Sequence, residues 1–261
     1  MTIFHAIILG AIQGITELLP ISSSAHLLLI PNFFGWPDLG LEFGAALHLG
    51  TFLAIAIYFR QDLSRYIKGF LKSLKNKKAQ SVDEKLAWYL ILSSVPAAFF
   101  GLILEDLAEK AFRAPIITAS TLVLGAAFLW YADHHVKLEK KLEKITFRDS
   151  LIIGASQAIA LVPGFSRSGV TISFGRILGL SREGAARFSF LLSAPITFGA
   201  SLFELRKIDH MGPIFLFGIL SALIFGFLAI KYLLTYVQKS NYNVFVYYRI
   251  GLAILVLLVL L

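Results

Sequence analysis

Two stretches decide the fold: GAIQGITELLPISSSAH at residues 10–26 and GASQAIALVPGFSRSGVT at residues 154–171. Each lies in an apolar region, residues 3–30 and 151–180, that is broken near its middle by polar residues, Pro and Gly. The arm after each break is shorter than the roughly 20 residues a bilayer crossing requires. In hydrocarbon every backbone polar group needs a partner, so a broken helix is tolerated only where it lines a protein-enclosed cavity. Both regions are therefore expected to be re-entrant helical hairpins. They also resemble each other, because Gly10, Ala11, Gln13 and Ile15 recur as Gly154, Ala155, Gln157 and Ile159. After a one-residue slip before Pro20 and Pro163, each copy runs into a serine-bearing turn, SSS at 22–24 and SRS at 166–168.

The rest of the chain supplies the bilayer context. Apolar runs near spanning length occupy residues 41–59, 87–104, 114–132, 185–203, 212–230 and 244–261, so each hairpin is followed by three spans. With 57% hydrophobic and 15% charged residues and a mean hydropathy of +0.76, the 261-residue chain is far from a soluble or disordered composition. Its long runs also lack the short alternation of a membrane barrel. The expected fold is all-α, a polytopic membrane bundle of six transmembrane helices plus two re-entrant hairpins. It forms one integral domain, residues 1–261, whose halves 1–132 and 150–261 are an inverted-topology repeat. With no cysteine, disulfides, thiolate ligands and thiol nucleophiles are excluded.

The net charge of +8 sets the orientation, since Lys- and Arg-rich loops stay cytoplasmic. Residues 60–86 carry eight basic residues and 133–148 carry five, whereas 105–113 and 204–210 carry two each. Both basic segments are expected as cytoplasmic loops, with both termini external. The first hairpin then enters from the external face and the second from the cytoplasmic face. Because most of the excess charge is a topology signal, no nucleic-acid partner is needed. The apolar N-terminal run lacks a basic lead and a small-residue cleavage site, and is not read as a removable signal peptide.

Inverted repeats of broken helices place a site near the midplane, where helix N-termini present positive dipole ends to anions. Gln13 and Glu17 are four apart and share a helix face. Ser22, Ser23 and Ser24 can cap the next helix, and a capping hydroxyl is not distinguishable from a nucleophile at this stage; the same holds for Ser166 and Ser168. Arg167 offers a planar fork of donors matched to phosphate, beside Thr171. Glu17, His26 and Arg167 are ionisable groups inside membrane regions and so mark a functional site. The plainer alternative for Glu17 and Arg167 is an ion pair that only locks the hairpins together. His5, His134, His135 and His210 lie near ends or in loops and receive no role. His48 is a weaker candidate for the cavity wall, and Arg176, Arg182 and Arg187 are expected to snorkel to an interface.

At these residues the chain resembles the undecaprenyl-diphosphate phosphatases of the bacitracin-resistance type. QGITE at 13–17 is similar to one family signature, Glu or Gln, three residues, then Glu, and PGFSRSGVT at 163–171 to the other, PGxSRSxxT. Ala25 departs from the Gly that usually precedes the histidine. The resemblance implies hydrolysis of undecaprenyl diphosphate, recycling the bacterial cell-wall lipid carrier, in the cytoplasmic (inner) membrane at a site open to the external face. It implies Glu17, with Gln13, as acid/base or metal-binding group, Ser23 and His26 as nucleophile and proton-transfer pair, and Ser166, Arg167 and Thr171 as phosphate binders. Ser22, Ser24 and Ser168 join that cradle. The implied cofactor is a divalent cation, Mg²⁺ or Ca²⁺. Membrane lipids, and a second copy of the chain in a homodimer, complete the expected partners. The competing reading is a secondary transporter or prenyl-phosphate flippase. A phosphatidic-acid-phosphatase type is disfavoured, because the residues between Arg167 and Gly175 are only Ser, Gly, Val, Thr, Ile and Phe, without the His and Asp that type requires.

Overall fold

The computed structural model describes residues 1–37, 40–110, 114–136, 139–206 and 212–260. His210 and Lys137, together with residues 111–113 and 207–209 of the weakly basic segments, lie outside the described residues. The chain is helical, and among the described residues extended backbone pairs only in a single bridge between Lys140 and Leu180. Its α-helices are α1 (Ile3–Leu18), α2 (Ser23–Phe34), α3 (Gly40–Tyr58), α4 (Arg60–Asn76), α5 (Val82–Lys110), α6 (Pro115–His135), α7 (Phe147–Ser156), α8 (Arg167–Ile177), α9 (Arg182–Leu205), α10 (Pro213–Val237) and α11 (Asn243–Leu260).

Among the described residues, α6, α9, α10 and α11 are long and apolar enough to cross a membrane, and α3 with α4 would make a fifth if the bent pair is one span. The runs expected at 41–59 and 87–104 coincide with α3 and α5. Both sites at which a broken helix is expected are indeed broken: α1 stops ahead of Pro20, and α7 passes into a 3₁₀ turn at Gln157–Leu161 before Pro163.

One expected loop is a helix. Residues 60–76 form α4, which turns away from α3 by 83°. Tyr66, Gly69 and Ser73 are buried, and Trp88 Nε1 of α5 donates to Ser73 Oγ at 2.8 Å. Ile67, Leu71 and Leu74 form an exposed apolar stripe, with Lys68, Lys72 and Lys75 one residue further round. Five of the eight charges that suggest a loop lie in α4, with Lys68, Lys72 and Lys75 along one face of an amphipathic helix.

Two helix pairs, brought close by glycines, hold the broken helices in place. α1 packs along α10, where a Cβ on Gly10 would stand 2.5 Å from Gly218 O and one on Gly14 2.5 Å from Ala222 O. On the other side α7 packs along α5, where a Cβ on Gly154 would meet Ser93 O at 2.2 Å. Further contacts join α2 to α11, α8 to α6, α3 to α9 and α6 to α11.

The snorkelling expectation fails for Arg176. It is 1% exposed, donating to Leu180 O and Val136 O and facing Asp133, which also accepts from Arg182 Nε at 2.6 Å and Tyr242 N at 3.0 Å. A buried guanidinium needs polar partners, and here the bend after α8 supplies Leu180 O while the end of α6 supplies Val136 O. Arg187 also stays within the protein, paired with Asp62 at 2.9 Å and lying over the ring of Phe59.

Candidate active site

Each hairpin tip is built by the residues that break its helix. Leu19, preceding Pro20, is extended (φ −75°, ψ 148°), as the residue before a proline tends to be. Ser22 then takes φ 73°, and α2 begins at Ser23. The second tip repeats this: Gly164 has φ 99°, Ser166 has φ 67°, and α8 begins at Arg167. Positive φ is costly for serine and is kept only where the surroundings impose it. At Gly164 no side chain fits, because a Cβ would lie 2.0 Å from Thr121 Oγ1. Two helix starts are thereby presented by matching turns, with Ser22 and Ser24 hydroxyls 3.1 Å apart in one and Ser166 and Ser168 3.1 Å apart in the other.

The tips are joined by polar contacts. Arg167 Nη2 donates to Glu17 Oε1 at 2.6 Å, Ser23 Oγ donates to Glu17 Oε2 at 2.5 Å, and Gln13 Nε2 donates to the same oxygen at 3.3 Å. Ser168 Oγ donates to Leu19 O at 3.0 Å, and Gly164 N donates to Ser24 Oγ at 3.4 Å. Glu17 is 8% exposed, so its charge is compensated by these donors rather than by water. Two atoms of the cluster are buried without a partner, the donor Arg167 Nη1 and the acceptor Gln13 Oε1.

The expected site residues divide into groups. Gln13, Glu17, Ser23 and Arg167 converge. His48, only a weak candidate by sequence, joins them, accepting from Gln13 Nε2 at 3.1 Å with its Nδ1 3.9 Å from Glu17 Oε1. Ser22, Ser24, Ser166 and Ser168 build the turns. Thr171 is buried one turn into α8, donating to Arg167 O at 2.8 Å and sharing a 2.7 Å contact with Ser189 of α9. His26 is held elsewhere: its Nδ1 is 2.7 Å from Ser22 O and its Nε2 2.7 Å from the Tyr248 hydroxyl. It lines a cleft of about 410 Å³ whose walls are mainly apolar, including Ile12, Ile15, Leu19, Ile30 and Phe245.

Sequence reasoning missed Arg249, the residue that ties both tips together. It is fully buried in α11 and donates to Gly164 O and Phe165 O at 3.0 Å each, to Leu122 O at 3.2 Å and to Pro20 O at 3.5 Å. One cation thus satisfies carbonyls that both helix breaks leave open. The signal was present, since an arginine within the apolar run at 244–261 is an ionisable residue in a membrane region.

The chemistry this permits is anion binding with proton transfer: a free guanidinium donor, two helix starts, and a carboxylate touching a serine hydroxyl. Among the described residues no three His, Asp or Glu side chains gather as a metal cage. A carboxylate beside the unpartnered Gln13 Oε1 instead suits a cation completed by oxygens of a bound phosphate, as Mg²⁺ commonly is.

Comparison with known proteins agrees with this chemistry. The family model described as bacitracin resistance protein BacA matches residues 6–255. The undecaprenyl-diphosphatase of Moorella thermoacetica is 46% identical over 261 residues, covering 99% of this chain and 98% of that protein. Those of Pelotomaculum thermopropionicum and Geotalea daltonii are 46% and 44% identical, each covering 98% of this chain and 97% or more of the relative.

Proposed function

This chain belongs to the family of the bacitracin resistance protein BacA, and from that premise we propose that it is a membrane undecaprenyl-diphosphatase. It hydrolyses undecaprenyl diphosphate to undecaprenyl phosphate and inorganic phosphate, which recycles the cell-wall lipid carrier and confers bacitracin resistance. The observation that carries the reading is Arg167: one amino group is fixed by Glu17 at 2.6 Å, while Nη1 is buried with no partner. A buried unmet donor is costly, and a phosphate oxygen removes that cost. A pair that served only to lock the hairpins would have no reason to leave it unmet.

Phosphoryl transfer depends mainly on positioning and charge neutralisation. Arg167 and the N-termini of α2 and α8 receive the terminal phosphate. Glu17, already accepting from Ser23, takes the proton of that hydroxyl as its oxygen attacks the terminal phosphorus, the bridging P–O bond breaks and undecaprenyl phosphate leaves; water then cleaves the Ser23 phosphoester to release inorganic phosphate. Mg²⁺ or Ca²⁺, held by Glu17 and Gln13 Oε1, would supply further neutralisation of the diphosphate charge. The apolar cleft at His26 receives the first part of the prenyl chain, leaving the remainder in lipid.

The whole chain is read as six spans with two hairpins in an inverted repeat, halves 1–132 and 150–261. In its support, the packing is reciprocal: α1 on α10 answers α7 on α5, and α2 on α11 answers α8 on α6. The basic face of α4 is assigned to the cytoplasmic side of the inner membrane, with the termini and the site on the external side. A homodimer is compatible with the long apolar faces left on α10 and α11.

The transporter alternative makes a different prediction. Purified protein in detergent, given undecaprenyl diphosphate and a divalent cation but no gradient, is expected to release inorganic phosphate. Translocation of the lipid across vesicle bilayers without phosphate release would overturn the enzymatic reading.

A further inference from the structure

We propose that Tyr248 is a positioning residue that holds His26 closed until the lipid headgroup displaces it; the inference rests on the diphosphatase reading. Ser22 O can only accept a hydrogen bond, so the proton between it and His26 must be on Nδ1. The neutral imidazole then carries its lone pair on Nε2, and Nε2 is 2.7 Å from the Tyr248 hydroxyl, which donates to it. Both ring nitrogens are engaged. In this arrangement His26 can neither accept a proton from the reaction nor accept a hydrogen bond from a protonated phosphate oxygen.

Of the two partners, only Tyr248 can move. Ser22 O belongs to the positive-φ turn that starts α2, whereas Tyr248 is 47% exposed on the outer side of α11. Its ring lies nearly parallel to the imidazole, 10° apart with centroids at 5.6 Å, so a shift of the phenol toward lipid leaves the histidine seated on Ser22 O. Both side chains line the apolar cleft assigned to the prenyl chain. The hydroxyl therefore stands where a protonated oxygen of a diphosphate entering along that cleft would donate to Nε2. The Tyr248 hydroxyl and a P–OH group of the diphosphate, both donors, compete for one lone pair.

Competition predicts a gain of affinity on deletion, which damage to a supporting contact would not give. The probe is a non-hydrolysable methylene-bridged prenyl diphosphate, titrated into purified full-length protein in detergent. Tyr248→Phe, which keeps the ring and removes the hydroxyl, is expected to bind it about threefold to tenfold more tightly, the weight of one neutral hydrogen bond. The change in hydrolysis is expected in KM rather than in kcat. In a His26→Asn background the same substitution should alter binding by less than about twofold, because the contested nitrogen is gone. Unchanged or weaker binding by Tyr248→Phe overturns the proposal, as does an equal gain in the His26→Asn background. Failure of the native protein to release phosphate from undecaprenyl diphosphate would instead reject the diphosphatase reading itself.

Discussion

At the scale of single residues, the site depends on charges and hydroxyls that a membrane interior disfavours. Arg167→Lys is the sharper probe of geometry: an ammonium keeps the charge but cannot hold Glu17 and a phosphate through one planar fork, so turnover should fall at least about tenfold. Ser23→Ala removes the hydroxyl that donates to Glu17 and is expected to lower kcat by about 100-fold or more, measured by phosphate release. A Ser23→Ala enzyme with near-native kcat would assign the attack to another group. Gln13→Ala should raise the Mg²⁺ concentration for half-maximal rate by about tenfold after chelation and re-addition. These residues were legible because short motifs carried them. His26 was legible as a polar residue in the right segment, but its partner Tyr248 is 222 positions away and only tertiary packing brings them together. Arg249 could have been found, since the rule that singled out Glu17 and Arg167 applies to it equally.

At the scale of elements, the breaks in the helices position the chemistry and small residues let those helices approach their neighbours. Gly154→Val places a side chain against Ser93 O and is expected to reduce the folded yield and thermal midpoint sharply, whereas Gly44→Ala, with nothing within 4 Å of its Cβ, should leave both unchanged. Arg249→Met would leave carbonyls of both tips unmet, for a loss of about 2 kcal/mol or more and a fall in activity. The breaks themselves were readable from Pro20, Pro163 and Gly164, because proline and glycine act locally. What α4 does was not readable from a count of charges. Its Lys residues recur at 68, 72 and 75 beside Ile67, Leu71 and Leu74, and only the helical period separates that pattern from a charged loop.

At the scale of the whole molecule, two broken helices meet tip to tip inside a helical bundle, and the proposed diphosphate site lies where they meet. The absence of cysteine makes the topology directly testable: a cysteine placed at Lys75 should react with impermeant reagents only from the cytoplasmic side. External labelling there would reverse the orientation. The central claim is that the Glu17–Arg167 junction between the two tips is the hydrolytic centre, and turnover of Arg167→Ala tests it most directly. Purified Arg167→Ala, with native helix content and thermal midpoint, is predicted to release phosphate from undecaprenyl diphosphate at least about 100-fold more slowly than the native protein; near-native release would contradict the account.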